Sequence, residues 1–118
     1  MLVYCLTRDH ELAAAIDSRL TDWLAFFYND AARLQQAVIL RAPDVVVVDT
    51  GAIRQEFGDA GLGPVVGFLH ERVPTARLAV RPTAGAEWLV AAEAGPDVEM
   101  LPAELGPFVD RVAALCES

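Results

Sequence analysis

The chain has 118 residues, 54% hydrophobic and 22% charged, which suits one compact domain, residues 1–118, with a buried core and no linker, repeat or low-complexity segment. Its formal net charge of -8 and pI near 4.5, with no basic stripe, argue against nucleic acid as a direct partner, because phosphate backbones are held by clustered lysine and arginine. No apolar run approaches the roughly 20 residues needed to span a bilayer, and MLVYCLTRDH lacks the basic start and long apolar stretch of a secretory leader, so a soluble cytoplasmic protein with no membrane partner is expected.

The first apolar run, LVYCLT, has the length of a strand. In the stretch from Asp9 to Leu20 that follows, Leu12, Ile16 and Leu20 recur at four-residue intervals, as on one helix face. WLAFFY (23–28), rich in aromatics and bounded by Thr21-Asp22 and Asn29-Asp30, predicts a second strand. Ala31, Leu34, Ala37 and Val38 then share a helical face, closed by Pro43 and Asp44 because proline cannot continue a helix.

Residues 45 to 48 are four consecutive valines, a β-branched run without polar alternation that suits a central parallel strand covered on both sides. It ends at Asp49-Thr50-Gly51. TGAIRQEFGDAG reads as a polar, glycine-dotted connection before Gly63-Pro64 opens a helix whose buried stripe is Leu62, Val65, Val66, Leu69 and Val73. ARLAV (76–80) predicts a fourth strand, and Trp88, Leu89 and Ala92 a fourth helix ended by Gly95-Pro96. VEML (98–101), with Glu99 between apolar neighbours, has the look of a short edge strand. Leu105, Phe108, Val109, Val112, Leu115 and Cys116 mark a last amphipathic helix with Pro107 in its first turn.

Five strands alternating with five helices predict an α/β fold, a doubly wound parallel sheet with helices on both faces. LVYCL and VVVV read as buried strands and WLAFFY and VEML as edges, which gives the flavodoxin-like strand order 2-1-3-4-5. In such sheets the crevice lies beyond the carboxyl ends of the strands where the order reverses, between the first and third. That rule selects Thr7, Arg8 and Asp9 together with Asp49, Thr50 and Gly51, and the ends of the fourth and fifth strands add Arg81, Thr83, Leu101 and Pro102. Asp49 is then a lone carboxylate among hydroxyls and guanidinium groups. Its plainer reading is a cap for the segment after the strand, as Asp9 is for the first helix. Cys5 and Cys116 are read as reduced thiols; LTRDHE behind Cys5 has no glycine and no arginine placed to close a phosphate-cradling loop.

APDVVVVDTG, with its Pro-Asp, four apolar residues and Asp49, resembles the third strand of the receiver domains of two-component response regulators. AEAGPDVEMLP is similar to that family's fifth-strand segment and the proline after it, and the element order matches over essentially the whole chain. The resemblance implies a phosphoryl-accepting aspartate at Asp49. It also implies Mg²⁺ held by an acidic pair after the first strand, a lysine before the fifth-strand proline, and a serine or threonine ending the fourth strand. Here those positions carry Thr7 and Arg8, with Asp9 beside them, then Leu101, and Arg81, with Thr83 two residues on. Hard divalent ions need anionic oxygen ligands, and phosphoryl transfer needs cations to offset its developing charge. The expectation is therefore a pseudo-receiver, not an enzyme and without cofactor, in which Arg8, Arg81 or both lie against Asp49 as a charge-assisted hydrogen-bonded pair.

The same resemblance implies a contact face on the fourth helix, fifth strand and last helix, with Trp88, Val90, Glu99 and Phe108 as candidate contacts. The acidic charge favours a protein partner with a basic surface, and a homodimer is also open. Two other functions stand beside this one. The first is a phosphorylatable receiver that takes phosphate at Asp49 from a histidine kinase with Mg²⁺ weakly bound near Asp9. The second is a small flavodoxin-like ligand-binding domain or enzyme using the same crevice.

Overall fold

Val45 to Val48 carry branched side chains on both sides of the backbone, and the chain buries all of them by setting β3 (Val45–Asp49) in the middle of a sheet with helices on either face. The computed structural model describes residues 2–58, 61–82, 90 and 98–117. β1 (Leu2–Leu6) and β4 (Arg77–Arg81) flank β3, with β2 (Leu24–Tyr28) outside β1 and β5 (Glu99–Met100) outside β4. Every pairing is parallel, and the order β2-β1-β3-β4-β5 is the predicted flavodoxin-like one.

The period of two along each strand sorts the core into two layers. Leu2, Tyr4, Leu6, Val46, Val48, Leu78 and Val80 face α2 (Ala31–Leu40), α3 (Thr50–Phe57) and α4 (Leu62–Arg72). Val3, Cys5, Val45, Val47 and Ala79 face α1 (His10–Arg19) and α5 (Leu105–Glu117). Each fully buried valine, leucine or phenylalanine contributes about 1.5–3 kcal/mol, so these two layers dominate the stability. Polar groups tie the layers at their ends. The Asp44 carboxylate accepts from the Leu2 N–H at 2.8 Å, and the Tyr4 hydroxyl donates to the carbonyls of Ala37 (3.4 Å) and Arg41 (3.0 Å) at the end of α2.

The segment after β3 departs from expectation. Residues 50–57 form α3 rather than a connection, with Ala52 and Ile53 buried, and the helix stops at Gly58, whose φ of 72° favours glycine. Gly51 misled the sequence reading, because a glycine weakens a helix interior but costs little in the first turn, where its N–H has no intrahelical partner. Asp49 supplies that partner, its Oδ1 accepting from the Gly51 N–H at 3.2 Å. The next helix begins at Leu62, one residue before the predicted opening. The fourth predicted helix, around Trp88, Leu89 and Ala92, lies outside the described residues apart from Val90, which is helical and buried. Among the described residues no helix is long and apolar enough to cross a membrane.

Candidate functional site

The parallel register aligns three polar positions at the carboxyl ends of the strands. Asp49 pairs with Arg81 across β3 and β4, and Leu6 pairs with Val48 across β1 and β3, so Thr7, the next residue, stands beside Asp49. The three side chains meet on the face covered by α1 and α5. The Thr7 hydroxyl donates to Asp49 Oδ2 at 2.8 Å and accepts from the Asp9 N–H at 3.1 Å. Thr50, also buried, donates through its hydroxyl to the Arg81 carbonyl at 2.8 Å.

Arg81 organises the site. Its Nη1 lies 3.7 Å from Asp49 Oδ2 and 3.7 Å from Asp9 Oδ2, so one guanidinium bridges the two carboxylates. Its Nε and Nη2 donate to the Ala103 carbonyl at 3.0 and 2.7 Å, and its guanidinium carbon sits 5.3 Å from the centre of the buried Phe108 ring. The planar fork of arginine allows this: one edge holds a backbone carbonyl while the other nitrogen serves the acids. Only 7% of Asp49 is exposed, and both its oxygens are engaged, Oδ1 by Gly51 and Oδ2 by Thr7 and Arg81. Asp9 is the more open acid; its Oδ1 caps α1 by accepting from the N–H groups of Glu11 (3.0 Å) and Leu12 (3.3 Å). A cavity of about 330 Å³ opens above, lined by Arg8, Asp9, Asp49, Gly51, Ala52, Gln55, Arg81, Pro82 and Ala103. Beneath it, burial pushes the Cys5 thiol far above its ordinary pKa, the negative charge of Asp49 adds to that, and Arg81 opposes it.

Thr7, Asp9, Asp49, Thr50 and Arg81 therefore come together. Arg8 lines the rim, but its Nε donates to the Asn29 carbonyl at 2.7 Å, so the arginine beside Asp49 is Arg81 alone of the two, and at 3.7 Å the contact is an ion pair rather than a hydrogen bond. Leu101 is not a crevice residue: it is buried in the α1/α5 core layer, with its N–H given to the Val80 carbonyl at 2.9 Å. Thr83 and Trp88 lie outside the described residues. Of the other candidate contacts, Val90 and Phe108 are 1% and 0% exposed, so neither can meet a partner at the surface. Glu99 is half-buried and ion-paired with Arg111 of α5.

Gly51, placed in the crevice by the sequence, is the donor to Asp49, whereas two contributors escaped the sequence reading: Gln55 as a wall and the Ala103 carbonyl as the anchor of Arg81. Gln55 could have been found, since Asp49 followed by Ala52 and Ile53 carries a cap and a helical apolar pair. A backbone carbonyl leaves no sequence signal.

No protein-family model matches the chain, and no curated protein matches it in sequence. Solved structures do match in shape. The receiver domain of the TMAO respiratory-system response regulator TorR superposes with a TM-score of 0.75 at 17% identity, covering 98% of this chain and 96% of that one. The orphan response regulator HP1043 of H. pylori gives 0.70 at 20%, covering 98% and 95%. The chain has the receiver-domain fold. NtrX from Brucella abortus also matches, with a TM-score of 0.70 at 15% identity over 98% of this chain, which spans 25% of the NtrX chain. At such identities the likeness carries the receiver fold and no residue's role.

Proposed function

We propose that this chain is an atypical receiver domain that signals by binding another protein, with phosphorylation of Asp49 weak or absent. The observation that carries this reading is the Arg81 guanidinium 3.7 Å from both Asp9 and Asp49, the two acids of the receiver-type crevice. A divalent cation does not fit that donor set: the Arg81 guanidinium already sits between the two carboxylates and offsets one of their two charges, and a cation brought to them would meet its repulsion. Asp49 as a nucleophile would have to break its Thr7 bond and its ion pair, and Arg81 would have to leave Ala103 as well to follow a transferred group. The domain then rests in one state, acts as a binding module in the cytoplasm rather than as an enzyme, and its charge of -8 favours a partner with a basic surface.

NMR titration with Mg²⁺ and a phosphoryl mimic such as beryllium fluoride tests the reading. The expected result is no saturable shift at the amides of Asp49, Thr50 and Arg81. Saturable shifts that vanish in Asp49→Asn would establish the second reading, a phosphorylatable receiver. What favours that alternative is the cavity of about 330 Å³ above Asp49, with the half-open Asp9 on its rim.

A further inference from the structure

Among the described residues β2 lies at the end of the sheet, with only β1 beside it. The Tyr28 carbonyl accepts from the Thr7 N–H at 2.9 Å, so residue 28 bonds inward. In a parallel ladder the N–H and C=O of one residue point to the same side and successive residues alternate. Leu24, Phe26 and Tyr28 therefore bond towards β1, and Ala25 and Phe27 present their N–H and C=O groups outward. Proteins guard such edges with charged side chains, proline or bulges, and LAFFY contains no charge and no proline. Instead Leu24 and Phe26 are 53% and 46% exposed, both on the α2 face, where the Phe26 ring meets Tyr4 edge-on at 6.2 Å.

We propose that β2 pairs antiparallel with β2 of a second copy of this chain, about a two-fold axis at Phe26, joining two five-stranded sheets into one. This inference is independent of the function proposed above. A two-fold axis closes an antiparallel pair of identical edges, and the free groups choose the register. Centred on Phe26, Ala25 of one copy faces Phe27 of the other, and the two exchange both N–H···O bonds, so every outward group of β2 is bonded. Centred on Ala25, Phe27 would face Trp23, whose N–H is already given to the Leu20 carbonyl at 3.3 Å. Centred on Phe27, Ala25 would face Asn29, whose carbonyl already accepts from Arg8 at 2.7 Å. The Phe26 register also sets Phe26 against Phe26 and Leu24 against Tyr28, apolar pairs at the non-hydrogen-bonded positions where side chains approach most closely.

Beyond the strand, Asp22 comes opposite Asp30 of the second copy, but Asp30 is ion-paired with Arg33 at 3.5 Å, which brings a cation to the same end. With a net charge of -8 on each copy, association strengthens as salt screens the repulsion. One short strand buries less than a standard interface of about 1,600 Å², so the dimer is weak and reversible.

The register is read by cysteine cross-linking, since the native Cys5 and Cys116 are buried. Opposed residues at a non-hydrogen-bonded site lie about 4.5 Å apart at Cα, within the reach of a disulfide. Phe26→Cys is therefore expected to form a covalent dimer under mild oxidation at least about tenfold faster than Leu24→Cys, whose sulfur would face Tyr28, because opposed Cβ atoms are much closer than diagonal ones. Sedimentation of the wild type between about 10 μM and 1 mM should show a dimer that grows with concentration and with salt. Ala25→Pro removes one outward N–H without touching the ladder to β1, and should weaken that dimer about tenfold with an unchanged circular dichroism spectrum. A monomer throughout the range, a dimer indifferent to Ala25→Pro, or equal cross-linking at positions 24 and 26 overturns the proposal.

Discussion

The Asp49 crevice and the β2 edge are opposite solutions to one problem, that of hydrogen-bonding groups at the margin of a sheet. In the crevice the chain supplies the partners itself: Thr7, Gly51 and Arg81 serve Asp49, and Ala103 serves Arg81. Among the described residues no buried side-chain nitrogen or oxygen lacks a partner. Along β2 the outward groups of Ala25 and Phe27 have no strand beside them among the described residues, and they alternate with the half-exposed side chains of Leu24 and Phe26. A margin that is polar and internally satisfied resists a new ligand, whereas an apolar one with open backbone groups suits another strand. Substitutions around Arg81 measure how tightly the first margin is closed.

Phe108→Ala should have the largest effect. The ring is fully buried between the sheet and α5 and is also the surface on which the Arg81 guanidinium rests, so a loss of about 3–5 kcal/mol in urea unfolding is expected. A loss below about 1 kcal/mol would mean that the α5 layer can collapse around the cavity and that Arg81 needs no shelf.

Arg81→Ala comes next. It strands a nearly buried carboxylate and removes two hydrogen bonds to Ala103; with the ion pair at 3.7 Å and partly solvated, the cost should be about 2–3 kcal/mol, below that of a fully buried pair. Adding Asp49→Asn removes the stranded charge, so the double variant should lose clearly less than the two single variants summed. Additive losses would show that Asp49 is held by Thr7 and Gly51 alone.

The thiols report on closure more gently. Burial, and then the neighbouring Glu117, push the Cys116 thiol up to about 11, from an ordinary value of 9.0. Both it and Cys5 stay protonated in the folded chain while the unfolded chain ionises. The folded state therefore binds more protons in that window, and stability falls as pH rises from about 9 towards 11, by at most about 1.4 kcal/mol per pH unit for each thiol. Cys116→Ala should flatten that decline, as followed by unfolding at pH 8, 9 and 10.

Most of the architecture was legible because each strand announces its burial. Four valines admit no exposed face, whereas Glu99 inside VEML belongs at an edge, and the strand order follows from those two facts together with LVYCL and WLAFFY. The crevice was legible as a row, since strand ends must align in a parallel sheet. Which arginine would turn inward was not. Arg81 ends a strand and Arg8 lies just past the end of another, and the choice depends on the Asn29 and Ala103 carbonyls and on the Phe108 ring, which become neighbours only through the tertiary fold. Two of the four candidate contact residues were misplaced for a related reason. Val90 and Phe108 carry apolar side chains that would serve an interface or a core equally well, and the fold uses them for the core.

That choice between arginines gives the smallest effect and the cleanest discrimination. Arg8 lines the same cavity as Arg81, but its Nε is spent on an exposed bond to Asn29. An exposed contact of this kind contributes little once side-chain entropy and solvent are counted, so Arg8→Ala should change stability by less than about 0.5 kcal/mol. Because Arg8 still adds positive charge at the rim, salt dependence should shift slightly even where stability does not. A loss above about 1.5 kcal/mol would show that Asp49 needs both guanidinium groups, and the crevice would then be held from two sides rather than through Arg81 and its carbonyl anchor.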